Sequence, residues 1–310
     1  MNKQLKYATE CFGRVSTAMI TEFDRAQAVD LAAVRRLAAE LTAPGSNDAV
    51  VVNGTTGESI STTEGEKLAI IRAAKEAVPA TARVIAGVGA ADTASSIRMA
   101  VDAAQAGADG LLVVAPYYSR PTQQGLVKHF EAVADSTELP IMLYDIPGRT
   151  GVAIDPATFT RLARHPRIIA VKDAKGDLES SSQVIAETSL AYYSGDDALN
   201  LPLLSIGAVG FVSVVGHVVG EQLRQLLEHH SAGRNAEALE LHQRLLPIYH
   251  GMFRAPAASS VKSALAALGR SESTVRSPMV ELDAELAQLL RADLIRVDLG
   301  AQLQTAAGIR

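Results

Sequence analysis

Lys172 closes a short apolar run, Ile168-Ile169-Ala170-Val171. An amine at the end of a buried strand is poorly solvated, and desolvation favours its neutral, nucleophilic form. A neutral lysine amine condenses with a ketone to give an imine, the lysine route to covalent catalysis. A lysine there can also simply extend its ammonium into water. Tyr144 ends another such run, Ile141-Met142-Leu143. A phenol beside an imine can carry protons as the carbinolamine forms and dehydrates, although a lone tyrosine more often caps a core with its hydroxyl wet. Thr55 and Thr56 stand between Gly54 and Gly57. The glycines permit a tight backbone whose amides and hydroxyls can hold a carboxylate, or the stretch is an ordinary turn with Glu58 or Ser59 as a helix cap. Arg149 follows Pro147 and Gly148. Its planar fork suits a second carboxylate, although a solvated loop is the ordinary place for arginine.

These residues need a frame that gathers strand ends. Eight apolar runs read as buried strands: Ser16 to Ile20, Ala49 to Val52, Arg83 to Gly87, Gly110 to Val114, Ile141 to Tyr144, Ile168 to Lys172, Ala191 to Ser194 and Phe211 to Val214. Amphipathic segments separate them. One starts at the cap Asp30 and carries Leu31, Val34, Leu37, Ala38 and Leu41; the next carries Leu68, Ile71, Ala74 and Val78. Repeated strand–helix units mean parallel neighbours with crossovers, and eight of them make a (β/α)₈ TIM barrel of the α/β class. An open doubly wound sheet has the same periodicity. The barrel is favoured because polar residues follow five of the runs, as expected where functional groups gather at the C-terminal strand ends. Alternation puts Ile168, Ala170 and Lys172 on one side of their strand. Helical patterns near 235–253, 260–268 and 283–291 are expected to supply the eighth barrel helix and then a C-terminal extension. The division expected is a barrel over 1–232 and a packed extension over 233–310.

Composition narrows the classes. Of 310 residues, 48% are hydrophobic, so a large core is available, but Trp is absent and Ala, Val, Leu and Ile must fill it. A net charge of -5 without like-sign runs argues against nucleic acid and anionic membrane partners. A single cysteine, Cys11, excludes a disulfide framework and fits a cytoplasmic protein. The first residues lack the apolar stretch of a signal peptide, and no run reaches membrane-spanning length. Gly87-Val88-Gly89 begins like a dinucleotide fingerprint, but Asp92 stands at the third glycine position and the unit is the third, so no cofactor is expected. The seven histidines show no metal-ligand spacing, are expected to be mostly solvated, and point to no metal. No nucleophile elbow of a serine hydrolase is present.

In combination the motifs are specific: Gly-Thr-Thr-Gly-Glu-Ser at 54–59, Pro-Tyr-Tyr-Ser-Arg-Pro at 116–121, Tyr-Asp-Ile-Pro-Gly-Arg-Thr-Gly at 144–151, Val-Lys-Asp at 171–173 and Tyr-Ser-Gly-Asp-Asp at 193–197. From about Phe12 to Leu268 the chain resembles the dihydrodipicolinate synthase branch of the dihydrodipicolinate synthase / N-acetylneuraminate lyase superfamily. The resemblance implies a lyase that condenses pyruvate with aspartate 4-semialdehyde, on the way to lysine and diaminopimelate. It implies that Lys172 forms the pyruvate imine and that Tyr144, Thr55 and Tyr118 relay protons, Tyr118 entering from a neighbouring subunit. It further implies that Thr55 and Thr56 hold the pyruvate carboxylate, that Arg149 binds the semialdehyde carboxylate, and that Gly195 and Val212 line the pocket. A homotetramer built from dimers is the corresponding assembly.

Two positions depart from the family pattern: Glu22 stands where proline usually follows Thr21, and Ala115 replaces a threonine before Pro116. Two other readings stay open. One is an aldolase of the same superfamily that cleaves a 2-keto-3-deoxy sugar acid or N-acetylneuraminate, against which Arg149 argues. The other is a non-catalytic barrel used as a binding protein, against which Lys172, Tyr144, Thr55 and Tyr118 argue. At the effector site of lysine-inhibited members, Ser59 and Tyr117 match. Glu64 and Lys67 replace histidines, Ala91 an asparagine and Ser95 a glutamate, which implies insensitivity to lysine.

Overall fold

The structure, a computed structural model, describes residues 3–303. Its strands are β1 (Val15–Ala18), β2 (Ala49–Val52), β3 (Arg83–Gly87), β4 (Gly110–Val114), β5 (Ile141–Asp145), β6 (Ile168–Asp173), β7 (Ala191–Ser194) and β8 (Gly210–Ser213). All pair in parallel with their sequence neighbours, and β8 returns to β1, so the sheet closes into a barrel. The eight expected strands are therefore all present, with β1 and β8 each starting one residue earlier than read.

The helices are α1 (Lys3–Phe12), α2 (Leu31–Leu41), α3 (Glu64–Ala77), α4 (Thr93–Gln105), α5 (Gln123–Asp135), α6 (Pro147–Thr150), α7 (Pro156–Leu162), α8 (Leu178–Glu187), α9 (Asn200–Ser205), α10 (Gly216–Ser231), α11 (Asn235–Gly251), α12 (Ala257–Ala267) and α13 (Ala284–Arg296). Asp30 caps α2 as expected, its carboxylate accepting the Ala33 N–H. The cap of α3 is Thr63, in a reciprocal box with Glu66, and not Glu58 or Ser59. The eighth barrel helix is α10, directly after β8, and not the 235–253 segment. Two glycines and two β-branched valines, of which Val219 is non-helical, weaken the helical signal at its start. Segment α11 therefore opens the C-terminal helices, which share one apolar cluster with the outer barrel face through Leu241, Leu245 and Ile248.

A second cluster fills the barrel, with Ala18, Val51, Ile85, Leu112, Met142, Ala170, Tyr193 and Val212 pointing inward. Helix α1 plugs its floor with Ala8 and Phe12, and Tyr193 donates to the Gly13 carbonyl at 2.8 Å. Ile168 departs from the expected alternation. Opposite β5, the register passes from Ile141–Ile168 to Met142–Ala170, so one residue of β6 is extra. Ile168 consequently packs outside with Val171, while Ile169 and Ala170 face the interior.

Candidate active site

Beyond this irregularity β6 is regular, and it pairs Lys172 directly with Tyr144 of β5. Both point into the barrel mouth and both are buried. The Lys172 Nζ lies 4.1 Å from the Tyr144 ring centroid. Burial pushes the Lys172 ammonium down to about 8; the charge of Asp197 opposes this and that of Arg149 adds to it. An appreciable neutral fraction thus exists near pH 8. Burial pushes the Tyr144 phenol up to about 12, against the pull of Arg149 and a hydrogen bond with Thr55. Tyr144 therefore keeps its proton and can pass it on.

The Thr55–Thr56 turn follows β2. It is pinned where Thr21 donates its hydroxyl to the Gly57 carbonyl at 2.7 Å and where the Glu58 N–H reaches the Thr55 carbonyl at 3.1 Å. Thr56 is buried, whereas Thr55 opens toward the cleft. Arg149 lies on the single turn α6, exposed at the rim. Thr55, Tyr144 and Arg149 share the wall of a cleft of about 260 Å³. Thr56, Lys172, Gly195 and Val212 are not in that wall. Lys172 is instead held against the Tyr144 ring, and Val212 is fully buried in the barrel interior. At Gly195 an added Cβ would stand 2.8 Å from Lys172 Cε, so any side chain there would displace the lysine.

Tyr118 is not brought to the site. It is 94% exposed on a backbone with φ of 74°, pointing away from its own chain, while Tyr117 lines the cleft. Glu22 and Ala115, the two departures, are also outside the wall. Glu22 is buried and accepts from the Ser271 hydroxyl at 2.6 Å, and Ala115 packs in the outer cluster.

Several wall residues escaped the sequence reading. Gly87 and Gly89 line the cleft because the chain after β3 passes close to its neighbours. A Cβ on Gly87 would meet the Asn53 carbonyl oxygen at 2.4 Å, and one on Gly89 the Val114 N at 2.6 Å. Their glycine spacing was visible, but as a nucleotide motif. The opposite wall is Arg276, Pro278 and Met279, between α12 and α13. Lys262 of α12 donates to Glu58 Oε1 at 2.6 Å, and the Arg276 N–H donates to Glu58 Oε2 at 2.9 Å. Arg276 also forms a two-pronged pair with Glu66. Three of the seven histidines depart from the solvated reading: His129, His217 and His242 are buried. His217 accepts the Ile20 N–H at 3.1 Å, and burial pushes it down to about 4, so it is a neutral core group. Among the described residues no group of three or more His, Cys, Asp or Glu is placed to hold a metal, and no helix is long and apolar enough to cross a membrane.

The model of the dihydrodipicolinate synthetase family matches residues 11–296. The chain belongs to that family. The 4-hydroxy-tetrahydrodipicolinate synthase 2 of Streptomyces coelicolor is 54% identical over 283 residues, 91% of this chain and 94% of that relative. Among solved structures, the family member from Cyanidioschyzon merolae with lysine bound superposes with a TM-score of 0.91 at 40% identity, covering 94% of this chain and 99% of that one. The chloride-inhibited member from Acinetobacter baumannii complexed with pyruvate gives 0.89 at 31% identity, covering 92% and 99%. Family membership makes the chain an enzyme, a lyase built on a TIM barrel.

Proposed function

We propose that this enzyme condenses pyruvate with L-aspartate 4-semialdehyde to give 4-hydroxy-tetrahydrodipicolinate, the first committed step of lysine and diaminopimelate biosynthesis. The observation that carries this reading is the buried amine of Lys172 against Tyr144, with Thr55 bonded to the same phenol. Neutral Lys172 attacks the pyruvate ketone carbon, and the carbinolamine loses water to form the iminium. Tyr144, bonded to Thr55, supplies and recovers the protons of these steps. Loss of a methyl proton then gives an enamine, which attacks the aldehyde carbon of the second substrate; the amino group of that substrate then adds to the iminium carbon, closing the ring and expelling the Lys172 amine. Thr55 and Thr56 hold the pyruvate carboxylate, Arg149 takes the carboxylate of the semialdehyde, and Gly195 and Val212 bound the space around the imine.

No step assigned to these residues draws on a metal or organic cofactor. The division we propose is a barrel over 1–232 and an extension over 233–310 packed on it, which also lends Arg276, Pro278 and Met279 to the cleft; residues 1–2 and 304–310 lie outside the described residues. The exposure of Tyr118 supports its entering a neighbouring subunit's site, and hence a homotetramer assembled from dimers. A cytoplasmic location is the reading that a single cysteine supports. The test is borohydride reduction with pyruvate, followed by mass spectrometry, and a coupled assay with a panel of aldehydes. The expected outcome is a pyruvyl adduct on the Lys172 peptide and a preference for the semialdehyde. An adduct on Lys175, or turnover of a sugar acid instead, would overturn the reading.

A further inference from the structure

Directly behind Tyr144 and Lys172 lies a second set of ionisable groups that the imine chemistry leaves unused. Asp145 and Asp173 are the next residues on β5 and β6, and they pair across the strands as Tyr144 and Lys172 do. Alternation turns them to the opposite face, between barrel and helices, where they are 0% and 2% exposed. Like charges at facing positions of neighbouring strands repel. The compensating cation is Lys175, whose Nζ is 3.5 Å from Asp145 Oδ2 and donates to Ser180 Oγ at 2.8 Å. Each carboxylate also holds backbone. Asp145 Oδ1 accepts the Ile154 N–H at 3.2 Å, and Asp173 Oδ1 accepts the Lys175 N–H at 2.7 Å. The Ser181 hydroxyl donates to Asp173 Oδ2. Asp145 Oδ2 has no hydrogen-bond donor, which leaves the Lys175 charge as its stabilising contact.

We infer that Asp145, paired with Lys175, is a positioning residue for catalysis: it locks the ends of β5 and β6 so that Tyr144 and Lys172 keep their register, and ties them to the 146–154 loop that carries Arg149. The inference rests on the roles proposed above for Lys172 and Tyr144. The physical warrant is that the lock spans three segments whose relative placement sets the reaction geometry. A displacement of about 1 Å costs roughly a hundredfold in rate. A neutral residue in its place would leave the Lys175 ammonium without its ion-pair partner. The titratable groups facing Asp145 are Asp173 on β6, Lys175 after β6 and Tyr192 on β7; Phe159 of α7 and Ser180 and Ser181 of α8 add no charge. Burial pushes the Asp145 carboxyl up to about 6, with Lys175 opposing. Below that pH the carboxylate is protonated and the lock is discharged, so kcat at saturating pyruvate acquires an acid limb near pH 6, distinct from the fall in imine formation that Lys172 imposes below about pH 8.

The experiment is Asp145→Asn, which preserves size and the Ile154 contact while removing the charge. We expect kcat to fall about ten- to hundredfold, with the KM for pyruvate within about twofold of the parent. The acid limb of kcat near pH 6 should be abolished. Borohydride with pyruvate should still label Lys172. Lys175→Met should produce the same loss, and the double variant D145N/K175M should be no worse than either single change, the signature of a coupled pair. If Asp145→Asn does not fold, Lys175→Met with its pH profile decides the matter. Wild-type kcat with an unchanged acid limb in the folded variants overturns the inference. So does a loss of activity that merely tracks the fraction of protein folded, with kcat per labelled site unchanged. Failure of the parent enzyme to be labelled at Lys172 would instead overturn the reading beneath it.

Discussion

The Lys172 ammonium sits 4.1 Å from the centroid of the Tyr144 ring, and the two residues face each other in the register of β5 and β6. A phenol ring on one side and the barrel interior on the other remove most of the water that would stabilise a charged amine. On the proposed mechanism, the same contact places a proton carrier beside the nitrogen that must lose and regain protons.

Imine formation should therefore follow the titration of a buried lysine. Burial holds the neutral form above about pH 8, against an ordinary value of 10.5. The initial rate of pyruvate adduct formation, read by borohydride quench at successive times, should rise with pH and level off above about 8. A rate still climbing through pH 10 would mean that Lys172 is solvated. Lys172→Arg should give no adduct at all.

Arg149→Ala should chiefly harm the second substrate. A charge-assisted bond is worth about 1.5–3 kcal/mol, so kcat/KM for the semialdehyde should drop roughly ten- to two-hundredfold. Pyruvate labelling of Lys172 should persist. Because the Arg149 charge helps to depress Lys172, its removal should move the midpoint of imine formation upward. Steady-state kinetics together with the quench profile check both halves; unchanged semialdehyde kinetics would contradict the assignment.

Most of this site was legible because parallel strands buried on both faces leave unbroken apolar runs, and whatever polar residue ends a run is at the barrel mouth. The placement of Lys172, Tyr144 and the Thr55 turn at the barrel mouth was legible that way. What failed was what alternation and local spacing do not encode. The extra residue in β6 moves Ile168 to the outer cluster without any glycine or proline to mark it. Glu58 looked like a cap, because its partner Lys262 is two hundred residues away in sequence and fully buried. The wall formed by Pro278 and Met279 arrives from an equally distant, irregular segment. Nothing in the sequence singled out His217 among the seven histidines, since its pairing with the Ile20 N–H depends on closure of β8 onto β1.

Tyr118 should couple activity to assembly. Its side chain leaves its own chain almost fully exposed, so a site that needs its hydroxyl needs a second subunit. A stable monomeric variant, verified by sedimentation, should retain folded secondary structure and show little turnover. Tyr118→Phe in the assembled protein should show a comparable loss. A fully active monomer would remove Tyr118 from the relay.

Lys262→Met should be strongly destabilising. Lys262 is fully buried and neutralises Glu58, which is itself buried. Removing one partner of such a pair costs about 3–5 kcal/mol, because the other charge is left uncompensated. Glu58→Gln combined with Lys262→Met should recover a large part of that loss. Equilibrium denaturation of the two variants reads the difference, and additive losses would show that the two side chains do not act as a pair.

The enzyme should be insensitive to lysine at millimolar concentration. The effector site of lysine-inhibited members lies at a dimer interface, and the charged groups that Glu64 and Lys67 bring there are already engaged within the chain. The Lys67 ammonium is already engaged with the Thr62 carbonyl at 2.6 Å, and Glu64 reaches toward Arg98 at 3.7 Å. Free lysine carries an additional ammonium, and Lys67 would set a like charge beside it. Losing two charge-assisted partners costs about 3–6 kcal/mol, a roughly 10²–10⁴-fold loss of affinity. L-lysine titrated into the coupled assay at subsaturating pyruvate should leave the rate unchanged. Half-inhibition below about a millimolar, an affinity of about 4 kcal/mol or more, would mean that Glu64 and Lys67 still permit an effector to bind.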